Sequence, residues 1–328
     1  MPAVSRKPWM VAAQVAAFGL VAWFLGRQAH QYWGPMRALR LDWTWGPLLL
    51  ASVLTAAMYL MLVATWRHSV GWWGQAFTWR DAARIWFASN LARFVPGGVW
   101  QFAGIAAMAA SRGVSAIAAN GAAILQQVVI IVSGVALTLF TSPELLGPAV
   151  QRLLPSGLAP AVGSMVLVAF VWLFPRSATA LAARAERMAG AAVKWPAPPV
   201  RDFTVHTGLM LVMWLVYGVA FWLFGRALFG ADGPGLVASI AIYTAAYVAG
   251  IVAVVAPGGL GVREAALTAA LTPAIGGEKA LVMALASRLW LLAVEVVTAV
   301  LVLLFVRPSS RPAAAASGAP PVDPPPAS

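Results

Sequence analysis

The sequence predicts an all-α integral membrane protein with about six spanning helices and two re-entrant helical hairpins, arranged as an inverted four-plus-four repeat. Three observations carry that prediction. Hydrophobic residues make up 61% of the chain and charged residues 10%, against roughly 25% charged in soluble proteins. Several apolar runs reach the roughly 20 residues that a helix needs to cross a bilayer. A break, Pro96-Gly97-Gly98, interrupts one run and returns as Pro257-Gly258-Gly259, 161 positions further on. Proline removes a backbone donor and glycine permits a turn, so inside a bilayer such a break survives only against protein or a wet cavity.

Spanning helices are expected at about 9–25, 47–66, 118–140, 158–174, 206–229 and 281–306. Tryptophans such as Trp43, Trp45, Trp72, Trp73 and Trp79 fall near the ends of these runs, where an amphipathic ring prefers to sit. Arg6 and Lys7 ahead of the first run resemble the start of a secretory signal, but no small-residue cleavage pattern follows, so a retained helix is expected. The segments 82–111 and 238–273 carry the breaks and are read as hairpins that turn at the break and leave on the side they entered. From Pro308 the chain is mostly Pro, Ala and Ser, so 307–328 is expected to be a disordered tail after a membrane domain at 1–306.

The basic residues orient the helices. With the N-terminus inside, Arg67, Arg80, Arg84, Arg112, Arg176, Arg184, Arg187, Lys194, Arg201 and Arg307 fall inside, and Glu144 and Asp232 fall outside. Arg27, Arg37 and Arg40 land outside against that bias. A shift of 161 residues carries 47–66 onto 208–227, hairpin 82–111 onto 243–272, and 118–140 onto 279–301. Repeat one, about 9–140, then begins inside, and repeat two, about 158–306, begins outside, as in transporters with inverted repeats.

The net charge of +12 is scattered over short loops instead of forming one basic face, which argues against nucleic acid and for anionic lipid headgroups. With no cysteine there is no disulfide or thiolate metal site. His30, His68 and His206 are isolated, and neither a P-loop nor a nucleophile elbow is present, so no metal, cofactor or catalytic residue is expected.

Candidate binding residues cluster at the breaks. Hairpin one offers Arg93, Pro96, Gly97, Gly98, Trp100 and Gln101; hairpin two offers Pro257, Gly258, Gly259, Arg263 and Glu264. Each break precedes a helix start, whose free N–H groups attract an anion, and arginine binds phosphate in bidentate fashion. The competing reading is a plain loop between two short helices, with Arg263-Glu264 an interfacial pair. Arg288 and Glu295 share a face of the last run, and the 161 shift places Gln127 opposite Arg288. A charge near the bilayer centre costs at least ~2.5 kcal/mol, so it usually faces the bundle or a wet cavity. Arg288 could contact a headgroup with Glu295 as counter-charge, the two could form a locking salt bridge, or Glu295 could carry a coupled proton.

The stretch from Asn90 to Gln101 (NLARFVPGGVWQ) and that from Ala256 to Ala265 (APGGLGVREA) resemble signatures of the flippase-like transmembrane domain of lysylphosphatidylglycerol synthetases. The resemblance covers about 9–306. Many members carry Lys where Gly98 stands, which leaves Arg93 as the nearest positive charge in the first hairpin. The resemblance implies a bacterial inner-membrane protein that moves a modified phospholipid or isoprenoid-linked lipid between leaflets. Larger relatives continue into a soluble aminoacyl-transferase domain. Here a Pro-rich segment follows Arg307, so aminoacylation is not expected. A rival expectation is a non-transporting scaffold that presents lipid-linked substrate to a glycosyltransferase. An integral-membrane transferase is a third, with only Glu264 and Glu295 as acid–base candidates.

Overall fold

The computed structural model describes residues 43–91, 100–146, 152, 154–155, 157–189, 198–252 and 261–309. The expected span at 9–25, Arg93, both Pro-Gly-Gly breaks and the tail from 310 onward lie outside the described residues. All regular elements among the described residues are helical. They are α1 (Trp45–Val70), α2 (Trp79–Leu91), α3 (Trp100–Ala110), α4 (Ala116–Thr141), α5 (Ala159–Ala189), α6 (Val200–Phe229), α7 (Leu236–Val252), α8 (Val262–Ile275) and α9 (Gly277–Phe305), with short 3₁₀ turns between some of them.

Five of these helices, α1, α4, α5, α6 and α9, are long and apolar enough to cross a membrane. They fall on five of the six expected runs. Their outer surfaces carry large apolar side chains such as Leu49, Val53, Ile117, Phe140, Leu304 and Phe305, which suits lipid and not water. Helix α5 runs well past its expected end near 174. Its apolar part stops, but alanine and arginine are strong helix formers and carry the helix on. Pro175 removes one backbone donor inside it, and Arg176 Nη1 donates to the carbonyl of Trp172 at 2.7 Å nearby.

Helices α1 and α6 form the most extensive contact and run antiparallel: the N–H of Thr44, just before α1, donates to the carbonyl of Ala227, near the end of α6, at 3.0 Å. Buried indoles pin the centre. Trp66 Nε1 donates to Ala119 O at 3.0 Å, and Trp214 Nε1 to Ile130 O and Ser133 Oγ, each at 3.2 Å. At Gly218 the α6 backbone passes so close to α7 that an added Cβ would stand 2.5 Å from the Cα of Ile240.

The segments expected as hairpins are two helix pairs, α2–α3 and α7–α8, each flanking one break and packed limb against limb. Pair one is fastened at its base, where Asp81 near the start of α2 meets Arg112 just after α3 at 3.4 Å. Arg84 Nη1 also donates to Leu303 O at 2.8 Å and Val306 O at 2.7 Å, closing the C-terminal carbonyls of α9. Pair two is fastened by Asp232, just before α7, and Lys279, just after α8, at 3.0 Å. Because α2 follows the end of α1 and α7 follows the end of α6, and α1 and α6 are antiparallel, the two bases lie at opposite ends of the bundle. Gly276 (φ +81°) alone joins α8 to α9, a conformation that favours glycine.

Candidate functional site

The second helix pair places charge inside the bundle. Gly261 precedes α8, and its N–H donates to Glu264 Oε2 at 2.8 Å, so the carboxylate closes a free donor at the helix start. The other oxygen, Oε1, holds Arg288 Nη1 of α9 at 3.1 Å, and both side chains are mostly buried. Glu264 thus fixes the start of α8 against the middle of the last helix. Arg288 is ion-paired with Glu264, and Glu295, which shares its helix, lies further along α9, 2% exposed.

Arg263 is the more unusual side chain. It is 8% exposed, and its guanidinium lies 5.3 Å from the ring centre of Tyr243 and 5.1 Å from that of Tyr247. These rings sit four residues apart on the facing limb α7, so both present to the same side. An aromatic face lowers the cost of a buried cation, by about 2 kcal/mol when water is excluded. One donor nitrogen of the guanidinium stays unspent: Nη2 is buried and has no hydrogen-bond partner among the described residues. Gly250 makes room for this side chain, since an added Cβ there would stand 3.1 Å from Arg263 Cβ.

The tyrosines continue inward. Tyr247, Tyr243, Tyr217 and Tyr59 form a run of ring contacts with centroid separations of 5.9, 5.8 and 6.3 Å, from α7 through α6 to α1. Tyr243 is within electrostatic range of both Arg263 and Arg288, and Tyr217 of Glu295. Arg263, Glu264, Arg288 and the tyrosines therefore belong to one polar seam inside an apolar bundle. Sequence reasoning missed the tyrosines. Their signal was the i, i+4 spacing of Tyr243 and Tyr247 in a limb already assigned to the site.

The first pair is chemically milder. Gln101 Nε2 donates to Asn90 Oδ1 at 3.2 Å across the two limbs, while Trp100 is exposed on the outer surface. Gln127 also lies on an exposed face of α4. Its neighbour Gln126 is the buried amide, donating to Leu62 O at 3.2 Å and Thr65 Oγ1 at 3.3 Å. Arg93, Pro96, Gly97, Gly98, Pro257, Gly258 and Gly259 lie outside the described residues. Among the described residues no cluster of His, Cys, Asp and Glu has the arrangement of a metal site.

A buried arginine held against aromatic rings, beside an ion pair, in a bundle with an apolar exterior defines a multi-pass helical membrane protein with a polar interior seam. The chain matches the family model described as the lysylphosphatidylglycerol synthase transmembrane region over residues 10–300, and it belongs to that family. No curated protein and no solved structure matches it.

Proposed function

We propose that this protein moves a phospholipid or isoprenoid-linked lipid between leaflets, binding its anionic headgroup at the inner ends of the two helix pairs. Arg263 carries the reading: a buried guanidinium with an unspent donor, next to the second Pro-Gly-Gly break, suits a phosphate. The Tyr243 and Tyr247 rings hold that charge when no anion is bound. The Glu264–Arg288 pair keeps the start of α8 aimed at the same place. The acyl chains remain in the bilayer, and no covalent chemistry is required of the protein.

In this reading the helix pairs are re-entrant hairpins of an inverted repeat, with both termini on the cytoplasmic side of a bacterial inner membrane. The element bounds support it. Shifted by 161 residues, α2 (Trp79–Leu91) falls on 240–252 against Leu236–Val252 for α7. Likewise α4 (Ala116–Thr141) falls on 277–302 against Gly277–Phe305 for α9. The placement of the two bases at opposite ends of the bundle supports the inversion.

The test is headgroup accessibility of labelled phospholipids in proteoliposomes, comparing wild type with Arg263→Ala and checking each protein for monodispersity and thermal unfolding. Faster exchange that the substitution slows by roughly 30-fold, the loss of one charge-assisted hydrogen bond of about 2 kcal/mol, is expected. Exchange at the wild-type rate in a folded Arg263→Ala protein would place the site elsewhere. No exchange by wild type with anionic, aminoacylated or isoprenoid lipids would end the translocation reading.

A further inference from the structure

Away from the polar seam, an open groove of about 430 Å³ runs between the C-terminal part of α1 and the N-terminal part of α6. Each helix lends one face, spaced as one side of a helix requires: Met61, Ala64, Thr65 and His68 from α1, and Asp202, Val205, His206 and Leu209 from α6, with Arg201 at the edge. The lining is graded. Since α1 and α6 are antiparallel, His68 in the last turn of α1 and Arg201 and Asp202 in the first turn of α6 crowd one end. Met61, Val205 and Leu209 lie toward the middle of the bundle, and Val205 and Leu209 are exposed on its apolar exterior. One residue breaks the gradient inward: His206 is 2% exposed, and neither of its ring nitrogens has a hydrogen-bond partner among the described residues. The ring packs on Trp72 at 5.3 Å, and Trp72 Nε1 is likewise buried without a partner. The ion pairs of the described residues lie elsewhere, so Arg201 and Asp202 are not engaged with each other.

We propose that this groove holds one membrane phospholipid whose headgroup carries a primary amine. Arg201 and His68 take its phosphate, Asp202 takes its ammonium, and one acyl chain lies along Met61, Val205 and Leu209. His206 supplies a hydrogen bond to the ester or phosphate oxygens, which satisfies a buried polar ring that the fold otherwise leaves unpaired. A purely anionic lipid leaves Asp202 facing like charge, and a quaternary amine gives it no hydrogen to accept. With Val205 and Leu209 exposed on the apolar exterior, the ligand would enter sideways from its own leaflet. This site is separate from the one around Arg263 and does not depend on it.

The experiment uses the full chain, purified in detergent and delipidated, and read by native mass spectrometry. The probes are phosphatidylethanolamine, phosphatidylglycerol and phosphatidylcholine of matched acyl chains. Phosphatidylethanolamine is expected to be retained roughly 30-fold better than the other two, the effect of one charge-assisted hydrogen bond. Asp202→Asn should remove that preference, and Arg201→Ala should weaken retention of all three lipids. Val205→Trp, at an exposed position that tolerates bulk without refolding the bundle, should do the same by covering the apolar wall. Equal retention of the three lipids, or a preference that survives Asp202→Asn, overturns the headgroup assignment. Unchanged retention in a folded Val205→Trp protein overturns the acyl placement.

Discussion

Where the limbs of pair one meet, Gln101 gives an amide hydrogen bond to Asn90 at 3.2 Å; where the limbs of pair two meet, Arg263 lies between tyrosines and Glu264 grips Arg288 at 3.1 Å. The 161-residue shift puts Arg263 and Glu264 on Phe102 and Ala103 of pair one. Each pair has a glycine where one limb faces the other closely: Gly104 against Ser89 in pair one, Gly250 against Arg263 in pair two. The shape of the element is thus carried by small residues and can be kept while its chemistry is exchanged. Among the described residues, charge at the inner ends of the pairs belongs to the second half.

The largest expected difference follows. Arg263→Ala should slow lipid exchange by roughly 30-fold, whereas Gln101→Ala should change it by no more than about threefold, the scale of a neutral hydrogen bond. Matching losses in the two variants would show the pairs acting symmetrically and would break the comparison.

Glu264→Gln comes next, and it is read as stability. The amide keeps its acceptor for Gly261 N–H but removes the carboxylate charge that Arg288 meets at 3.1 Å. Breaking a buried pair from one side costs about 3 kcal/mol or more, so thermal unfolding in detergent should move down by several degrees. Arg288→Gln combined with Glu264→Gln should recover part of that loss. If the double variant is as unstable as the sum of the singles, the two side chains are not coupled.

The glycines give a smaller contrast. In Gly250→Ala the new methyl would stand 3.1 Å from Arg263 Cβ, an atom fixed to the backbone of α8, so the limbs must separate, at about 1–2 kcal/mol. In Gly104→Ala the nearest atom is Ser89 Oγ at 3.2 Å, which a χ1 rotation can move, and the gain in helix propensity offsets the contact. Gly250→Ala should therefore destabilise and Gly104→Ala should be close to neutral. The reverse order would mean that pair one is the tighter of the two.

How much of this was legible in the sequence depends on whether periodicity or pairing decides it. The long apolar runs gave α1, α4, α6 and α9 directly, because in lipid the helix must satisfy its own backbone and only length and apolarity matter. The end of α5 was misjudged because its alanine-rich continuation stays helical after it ceases to be apolar. In the site, Arg263, Glu264 and Arg288 were identifiable as charges that a membrane interior must house for a reason. Their partners were not. Which carboxylate faces Arg288, and that two tyrosines face Arg263, depends on how α7, α8 and α9 rotate against one another, and a single helix does not encode that. Gln126 is buried and Gln127 exposed on the same ground: neighbouring residues differ by about 100° around a helix, so a register shift of one moves a polar group from the bundle to the outside.

The smallest expected effect lies at the two bases. Asp81 is nearly buried and holds Arg112 at 3.4 Å while also accepting from Thr78 Oγ1 at 2.8 Å and from the N–H of Ser309 at 3.2 Å, so it ties α2, the end of α3 and the chain after α9 into one knot. Asp232, by contrast, is 75% exposed and meets Lys279, with water free to replace either partner. An exposed pair of this kind contributes at most about 1 kcal/mol and is screened by salt. Lys279→Ala should therefore shift unfolding by little, and the shift should vanish at high ionic strength. Arg112→Ala should cost more, and the cost should persist in salt because Asp81 is left behind with one cationic partner fewer. If raising the salt erases both effects alike, the base of pair one is as wet as the base of pair two, and the asymmetry between the halves stops at the inner ends.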